Sequence, residues 1–285
     1  MTIRLGGHGL PVGSDDPYAF AKAHVAFGYG AAYVPASLTP SDPKLKDWEK
    51  AFAEADVVLA ELGIWRNLIT TDRGVRRQNL DYAIEKLAVA DEVGARCAVS
   101  YLGSFKADTD YGPAAENFSK EGFEACVDAV REIIDAVKPK RTTFAVEMMQ
   151  YGLPDSVDSY LQLLRAVDRP QFAAHFDPVN WIIHPRTYWN TGALINELFT
   201  RLGAVLVSCH AKDIVLHHKA ALHYDEVMPG KGVLDYVTYL SCLDRLPVEV
   251  PLMIEHLEGP QYAEARDAIY KAGDTAWVQF KHRPA

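Results

Sequence analysis

The chain alternates short runs of apolar and β-branched residues with longer segments in which apolar residues recur every three to four positions. The first pattern suits strands buried on both faces and the second suits amphipathic helices, so their alternation predicts parallel βα units. Eight units can be counted. Strands are expected at Ile3 to Gly7, Ala32 to Pro35, Ile64 to Ile69, Ala95 to Leu102, Thr143 to Met148, Phe172 to Phe176, Ala204 to Ala211 and Pro251 to His256. Helices are expected at about 16–28, 43–62, 75–93, 114–138, 155–167, 191–202, 233–245 and 261–272. Asp42 before PKLKDWEKAFAEA and Ser156 before VDSYLQLL are residue types that cap a first helical turn. The expected fold is α/β, a single closed (β/α)8 TIM barrel covering residues 1–285. A doubly wound open sheet is the rival, but the GGHG after the first strand lacks the spacing of a dinucleotide loop.

Composition narrows the function classes. About half of the 285 residues are apolar and a quarter are charged, the balance of a globule with a sizeable core. The formal charge of -9 disfavours a sequence-independent grip on nucleic acid or on an anionic membrane, both of which need a Lys/Arg surface. Cys97, Cys126, Cys209 and Cys242 are widely spaced and form no CxxC pair, so buried reduced thiols are expected. With no leader-like N-terminus and no long apolar span, a cytoplasmic location is the natural expectation.

In a barrel of this type the chemistry sits where the strands end, so polar residues closing apolar runs are the informative ones. Four occur in succession: Glu147 after TFAV, Asp177 after QFAAHF, His210 in AVLVSCHAKD and Glu255 in VPLMIEHLEG. Their intervals of 30, 33 and 45 residues are each about one βα unit, so all four can converge on one rim. Three carboxylates and one imidazole form a hard donor set suited to Mn²⁺, Mg²⁺ or Co²⁺. Gathered without a cation, the carboxylates would repel one another.

These stretches, FAVEM, HFDPVN, SCHAKD and MIEHL, together with PGKGVLD at 229–235, resemble the xylose isomerase-like TIM-barrel superfamily of sugar isomerases and epimerases. The resemblance implies one bound divalent metal ion, Mn²⁺ foremost, held by Glu147, Asp177, His210 and Glu255. It implies a small carbohydrate substrate and a homo-oligomer, or a complex with a small subunit as in enzymes that cleave 3-keto C-glycosides. Ketose 3-epimerases of this superfamily carry a Glu six residues beyond the first ligand, a His three beyond the Asp and an Arg six beyond the His. Here those positions hold Leu153, Asn180 and Leu216, which does not support a free-ketose 3-epimerase.

Further candidates follow from position. Lys212 and His175 share strand parity with His210 and Asp177: Lys212 could reach a substrate oxygen or instead pair with a carboxylate, and His175 could support the metal ligands from behind, act as a general acid or base, or sit as a bonded interior histidine. His8, Asn180 and Trp181 are candidate substrate contacts. Tyr188 and Trp189 could stack on a sugar or pack in an oligomer interface. Tyr101 is expected in the pocket wall, Trp65 in the core far from the rim, and His256 facing away from the site. His217, His218 and His223 fall in a long loop after the seventh strand. A metal-polarised carbonyl flanked by Glu147 and Glu255 as general base and acid predicts isomerase or epimerase chemistry. A metal-dependent lyase, a dehydratase or a C-deglycosidase, is the alternative. An inactive assembly subunit is a third reading, which four competent donors disfavour. A phosphate site would want cations beyond Lys212, Lys219 and Lys231, so a non-phosphorylated substrate is expected.

Overall fold

The structure is a computed structural model and describes residues 2–10, 16–106 and 109–284. Eight parallel strands close into a barrel: β1 (Leu5–Gly7), β2 (Ala31–Tyr33), β3 (Val58–Gly63), β4 (Cys97–Ser100), β5 (Thr143–Val146), β6 (Phe172–Phe176), β7 (Leu206–Ala211) and β8 (Leu252–Ile254). Neighbours in sequence are neighbours in the ring, and β8 closes it by pairing with both β7 and β1. The outer helices are α1 (Pro17–Phe27), α2 (Leu45–Glu54), α3 (Arg73–Val93), α4 (Lys120–Val137), α5 (Val157–Val167), α6 (Thr191–Leu202), α7 (Tyr236–Arg245) and α8 (Gln261–Ala276). The expected (β/α)8 barrel is therefore the fold. Among the described residues, no helix is long and apolar enough to cross a membrane.

Local chemistry sets most boundaries. Asp16 caps α1 by accepting from the Ala19 amide at 3.1 Å, and Ser156 caps α5 from the Ser159 amide at 3.1 Å. Helix α4 begins at Lys120, later than 114, because Ser119 is its cap and a separate short turn precedes it. Asp42 does not cap α2. Its carboxylate accepts from the Lys44 amide at 2.8 Å and shapes the turn before the helix.

The third strand lies elsewhere than expected. It runs from Val58 to Gly63, not Ile64 to Ile69, and the preceding helix stops at Glu54. The chain leaves that helix at Asp56, which adopts a left-handed φ of 54° that Asp tolerates better than most residues. Its carboxylate is held there by Arg4 at 2.7 Å and by Lys281. Helical spacing of apolar residues runs on across this turn in the sequence, which concealed it. The shift puts Glu61 on a barrel strand and Trp65 just beyond that strand's C-terminal end.

The main core lies between barrel and helices, with Leu87, Ile133, Leu163, Leu198, Leu240 and Ile269 wholly buried on the inward faces of their helices. Two small clusters stand apart from it: Ala31, Ala60 and Met253, and Cys97, Val99 and Ala145. All four cysteines are buried and unpaired. The expected loop after β7 is an antiparallel hairpin, Asp213–His217 with His223–Val227. Beside it, Asp213 accepts from the amides of Ile214, Gly230 and Leu234 at 2.9 to 3.0 Å, so the PGKGVLD turn wraps around one buried carboxylate.

Gly6 on β1 marks a tight backbone approach inside the barrel: a Cβ there would lie 2.5 Å from the Ala31 carbonyl oxygen and 2.7 Å from Met253 Sδ. The backbone contact cannot move aside as a flexible side chain would. Gly6→Ala is expected to lower unfolding free energy by about 1–3 kcal/mol, measured by urea denaturation, whereas an unchanged midpoint would show that the interior can relax.

Candidate active site at the C-terminal rim

Glu147, Asp177 and Glu255 each stand one residue past a strand, and His210 lies within β7. Parallel strands in register bring these ends to one mouth. The Glu147 amide still donates to Ser100 O at 3.0 Å, which continues the ladder and fixes the side chain's direction. Around His210 Nδ1 lie Glu255 Oε1 at 2.9 Å, Glu147 Oε1 at 3.3 Å and Asp177 Oδ2 at 3.8 Å. One donor atom from each of the four residues falls within 4.8 Å of the others, and all four residues are buried.

Lys212 enters the same group, with Nζ 2.5 Å from Asp177 Oδ2, 2.7 Å from Glu255 Oε1 and 3.3 Å from Glu226 Oε2 of the hairpin. Asn180 donates from Nδ2 to Glu147 Oε1 at 2.9 Å and accepts from Gln150 Nε2 at 3.0 Å. The second oxygen of Asp177, Oδ1, accepts from the Val179 amide at 2.9 Å.

The electrostatics follow from this packing. Burial alone would raise the Asp177 carboxyl, but Lys212 and His210 outweigh it and hold the group below its usual range. For Glu255 burial is likewise overcome, chiefly by His210 and Lys212, bringing it to about 2. Glu147 is raised by burial, with His210 opposing and the Glu255 charge adding to the rise. Burial would depress His210 and Lys212, yet the surrounding carboxylates hold both well above their ordinary values.

A divalent cation fits this arrangement on two grounds. Three carboxylates against one buried ammonium leave an excess of negative charge, the condition a hard cation relieves. In addition, one oxygen from each carboxylate, Glu147 Oε1, Asp177 Oδ2 and Glu255 Oε1, faces a common centre beside His210 Nδ1, with these donor atoms within 4.8 Å of one another. The oxygen-rich donor set suits Mg²⁺ or Mn²⁺ better than a thiolate-seeking ion.

A cavity of about 1290 Å³ opens over these residues, and its wall includes His8, Lys212, Glu147, Asn180 and Glu255. His8 stacks on Tyr33, centroids 4.3 Å apart. Tyr101 is in the wall as expected. Two other candidates are not. His175 is buried beneath the site, its Nε2 3.1 Å from Glu61, because its strand position lies one full pleat below Asp177. Trp181 turns into the core against Phe176, and Ile182 and Ile183 take its place in the wall. Tyr188 is buried and Trp189 is exposed, and neither lines the cavity.

Two readings of peripheral residues are corrected. Trp65 belongs to the site: left-handed backbone (φ 49°) beyond β3 turns its ring into the cavity, 5.9 Å from Tyr101 and 6.2 Å from His210. His256 also lines the cavity, because its φ of 57° breaks the strand alternation, and its Nδ1 lies 3.0 Å from Glu226. Of the hairpin histidines, His223 reaches the wall, and both His217 and His223 pair with Asp225. Glu61 was missed outright. It is wholly buried on β3, bonded to His175, His210 and Ser208. A glutamate inside the apolar run VVLAELGI was the available signal.

Comparison with known proteins agrees with the barrel fold. The profile of the "Xylose isomerase-like TIM barrel" family matches residues 22–272. "L-ribulose-5-phosphate 3-epimerase UlaE" of Escherichia coli O157:H7 is 26% identical over 204 residues, 70% of this chain, and the match spans 65% of that relative's length. The protein of that name from Salmonella paratyphi C is 24% identical over 268 residues, 87% of each chain. Among solved structures, the E. coli 3-keto-D-glucoside 4-epimerase YcjR superposes with a TM-score of 0.71 at 13% identity, covering 96% of this chain and 100% of that one. D-psicose 3-epimerase of Clostridium cellulolyticum H10, with D-tagatose, gives 0.67 at 16% identity, covering 98% and 100%. At these identities the superpositions show the fold alone. Profile, barrel and relatives together establish that this chain belongs to the xylose isomerase-like TIM-barrel family, whose named relatives here are sugar epimerases.

Proposed function

We propose that the chain is a divalent-metal-dependent epimerase or isomerase of an unphosphorylated keto-sugar, with Mn²⁺ the favoured ion. The observation that carries this reading is the convergence of Glu147 and Glu255 on one centre from strands β5 and β8. Each turns its Oε1 to the shared group around His210 and keeps an Oε2 for proton transfer. When bound by Glu147, Asp177, His210 and Glu255, the metal supplies Lewis acidity that makes a C–H beside a carbonyl easier to ionise. One glutamate then takes the proton from the carbon and the other returns one from the opposite side. Asn180 holds Glu147 in place, and the Lys212 ammonium stands where negative charge develops on substrate oxygen.

Substrate class follows from the wall. Lys212 is the only Lys or Arg among the described lining residues, and Asp177, Glu226 and Glu255 already surround it. Lys219 and Lys231 are not in the wall. A phosphate has no unengaged cation to meet there, so the substrate differs from that named for the L-ribulose-5-phosphate epimerases. Leu153 and Leu216, where ketose 3-epimerases carry Glu and Arg, are partly buried against the main core. The volume exceeds the roughly 300–1,000 Å³ typical of ligand pockets, which favours a keto-sugar bearing a further group over a bare ketose. The named relatives are epimerases, so proton return is favoured over the elimination of a lyase.

Two measurements test this reading. Adding Mn²⁺ to chelator-treated protein is expected to raise its melting temperature, by about 2.7 kcal/mol of stabilisation at a hundredfold excess over Kd, and Asp177→Asn should abolish the rise. No shift in the unmodified protein would remove the metal from the proposal. With a panel of keto-sugars and keto-glycosides in D₂O, turnover should conserve mass apart from deuterium gained at the epimerised carbon. Glu147→Gln and Glu255→Gln should each lower kcat by about 10²–10⁴. Loss of water or of an aglycone, or full activity in both variants, would sink the proton-transfer assignment.

A further inference from the structure

Glu61 is a carboxylate at the centre of the barrel that the reaction above does not use. Its side chain is wholly buried, below the mouth, and both oxygens are engaged. Oε1 faces His175 Nε2 at 3.1 Å and accepts from the Ser208 hydroxyl, while Oε2 faces His210 Nε2 at 3.2 Å. Burying a carboxylate is costly unless donors surround it, and an apolar side chain would fill the same space without that cost. Its placement therefore calls for a role.

An ionised carboxylate can only accept hydrogen bonds, so both imidazoles must present N–H at Nε2. To ligate a cation His210 must be neutral, and with its one N–H at Nε2 the lone pair lies on Nδ1. For His175, Nδ1 is buried without a partner. For His210, it is the atom that faces Glu147, Asp177 and Glu255. We propose that Glu61 is a positioning residue for the metal centre: from inside the barrel it fixes the tautomer and orientation of His210, so that Nδ1 is free to ligate a divalent cation. This rests on the metal reading given above. The geometry is that of a metal-bound histidine whose far nitrogen donates to a carboxylate, an arrangement that strengthens the ligand.

Glu61→Gln tests the idea. Glutamine has the same size but one acceptor oxygen and one donor amide, so it cannot accept from both imidazoles, and one ring must exchange its proton for a lone pair at Nε2. The Mn²⁺ dissociation constant, read from free Mn²⁺ by electron paramagnetic resonance, is expected to rise about 10–100-fold. Ser208→Ala keeps both imidazole bonds and should bind Mn²⁺ as the unmodified protein does. A second measurement does not depend on the variant folding: ¹⁵N NMR of the unmodified protein loaded with diamagnetic Zn²⁺ should show His210 protonated at Nε2 and ligated through Nδ1. Unchanged affinity in Glu61→Gln overturns the inference while leaving the metal site intact, and a proton on His210 Nδ1 in the loaded protein overturns it and takes His210 Nδ1 out of the ligand set. Absence of Mn²⁺ binding by the unmodified protein overturns both.

Discussion

Three carboxylates from three strands meet in a volume that water hardly reaches, and one ammonium does not balance them. Like charges so close in a poorly polarisable interior raise the energy of the folded chain unless something positive sits among them. Lys212 meets part of that demand by lying against Asp177 and Glu255. His210 meets another part, since its surroundings favour its protonated form whenever no cation stands beside Nδ1. On the proposed reading a divalent ion answers the remaining excess, and the supports around the four donors serve that requirement.

The barrel makes the concentration of charge tolerable by distributing its supports. Asn180 and the Val179 amide bind the carboxylates from the loop after β6. Glu226 reaches over from the hairpin to Lys212 and His256. Glu61 holds His210 from below. Each support comes from a different segment, so the inward donor atoms are fixed from several sides and need little reorganisation when they act.

Above this charged floor the wall is largely aromatic and aliphatic. Tyr33, Trp65, Tyr101, Tyr111, Tyr224 and Ile183 surround the opening. Such surfaces pack on the C–H faces of sugars and exclude water, while the polar floor handles carbonyl and hydroxyl groups. Under the proposed function, selectivity for the reacting carbon would belong to the floor and selectivity for the remainder of the substrate to the loops.

What was legible in the chain was whatever depends on local periodicity and strand ends. Eight βα units, the closed barrel and the four donors Glu147, Asp177, His210 and Glu255 follow from apolar runs that each end in a ligand-competent residue, because parallel strands of equal sense must place those ends together. Residues whose role depends on a single backbone torsion were not legible. Asp56 turns the chain with a left-handed φ and thereby moves β3 forward, Trp65 and His256 swing into the cavity by the same device, and no periodic pattern encodes it. Proximity along the chain points Trp181 to the site and parity points His175 there, but packing against Phe176 takes Trp181 into the core and depth along the barrel axis leaves His175 beneath the site, against Glu61 and not in the cavity wall. Glu61 was invisible for a related reason: its partners, His175, Ser208 and His210, lie more than a hundred residues away, and only closure of the ring brings them within hydrogen-bond reach.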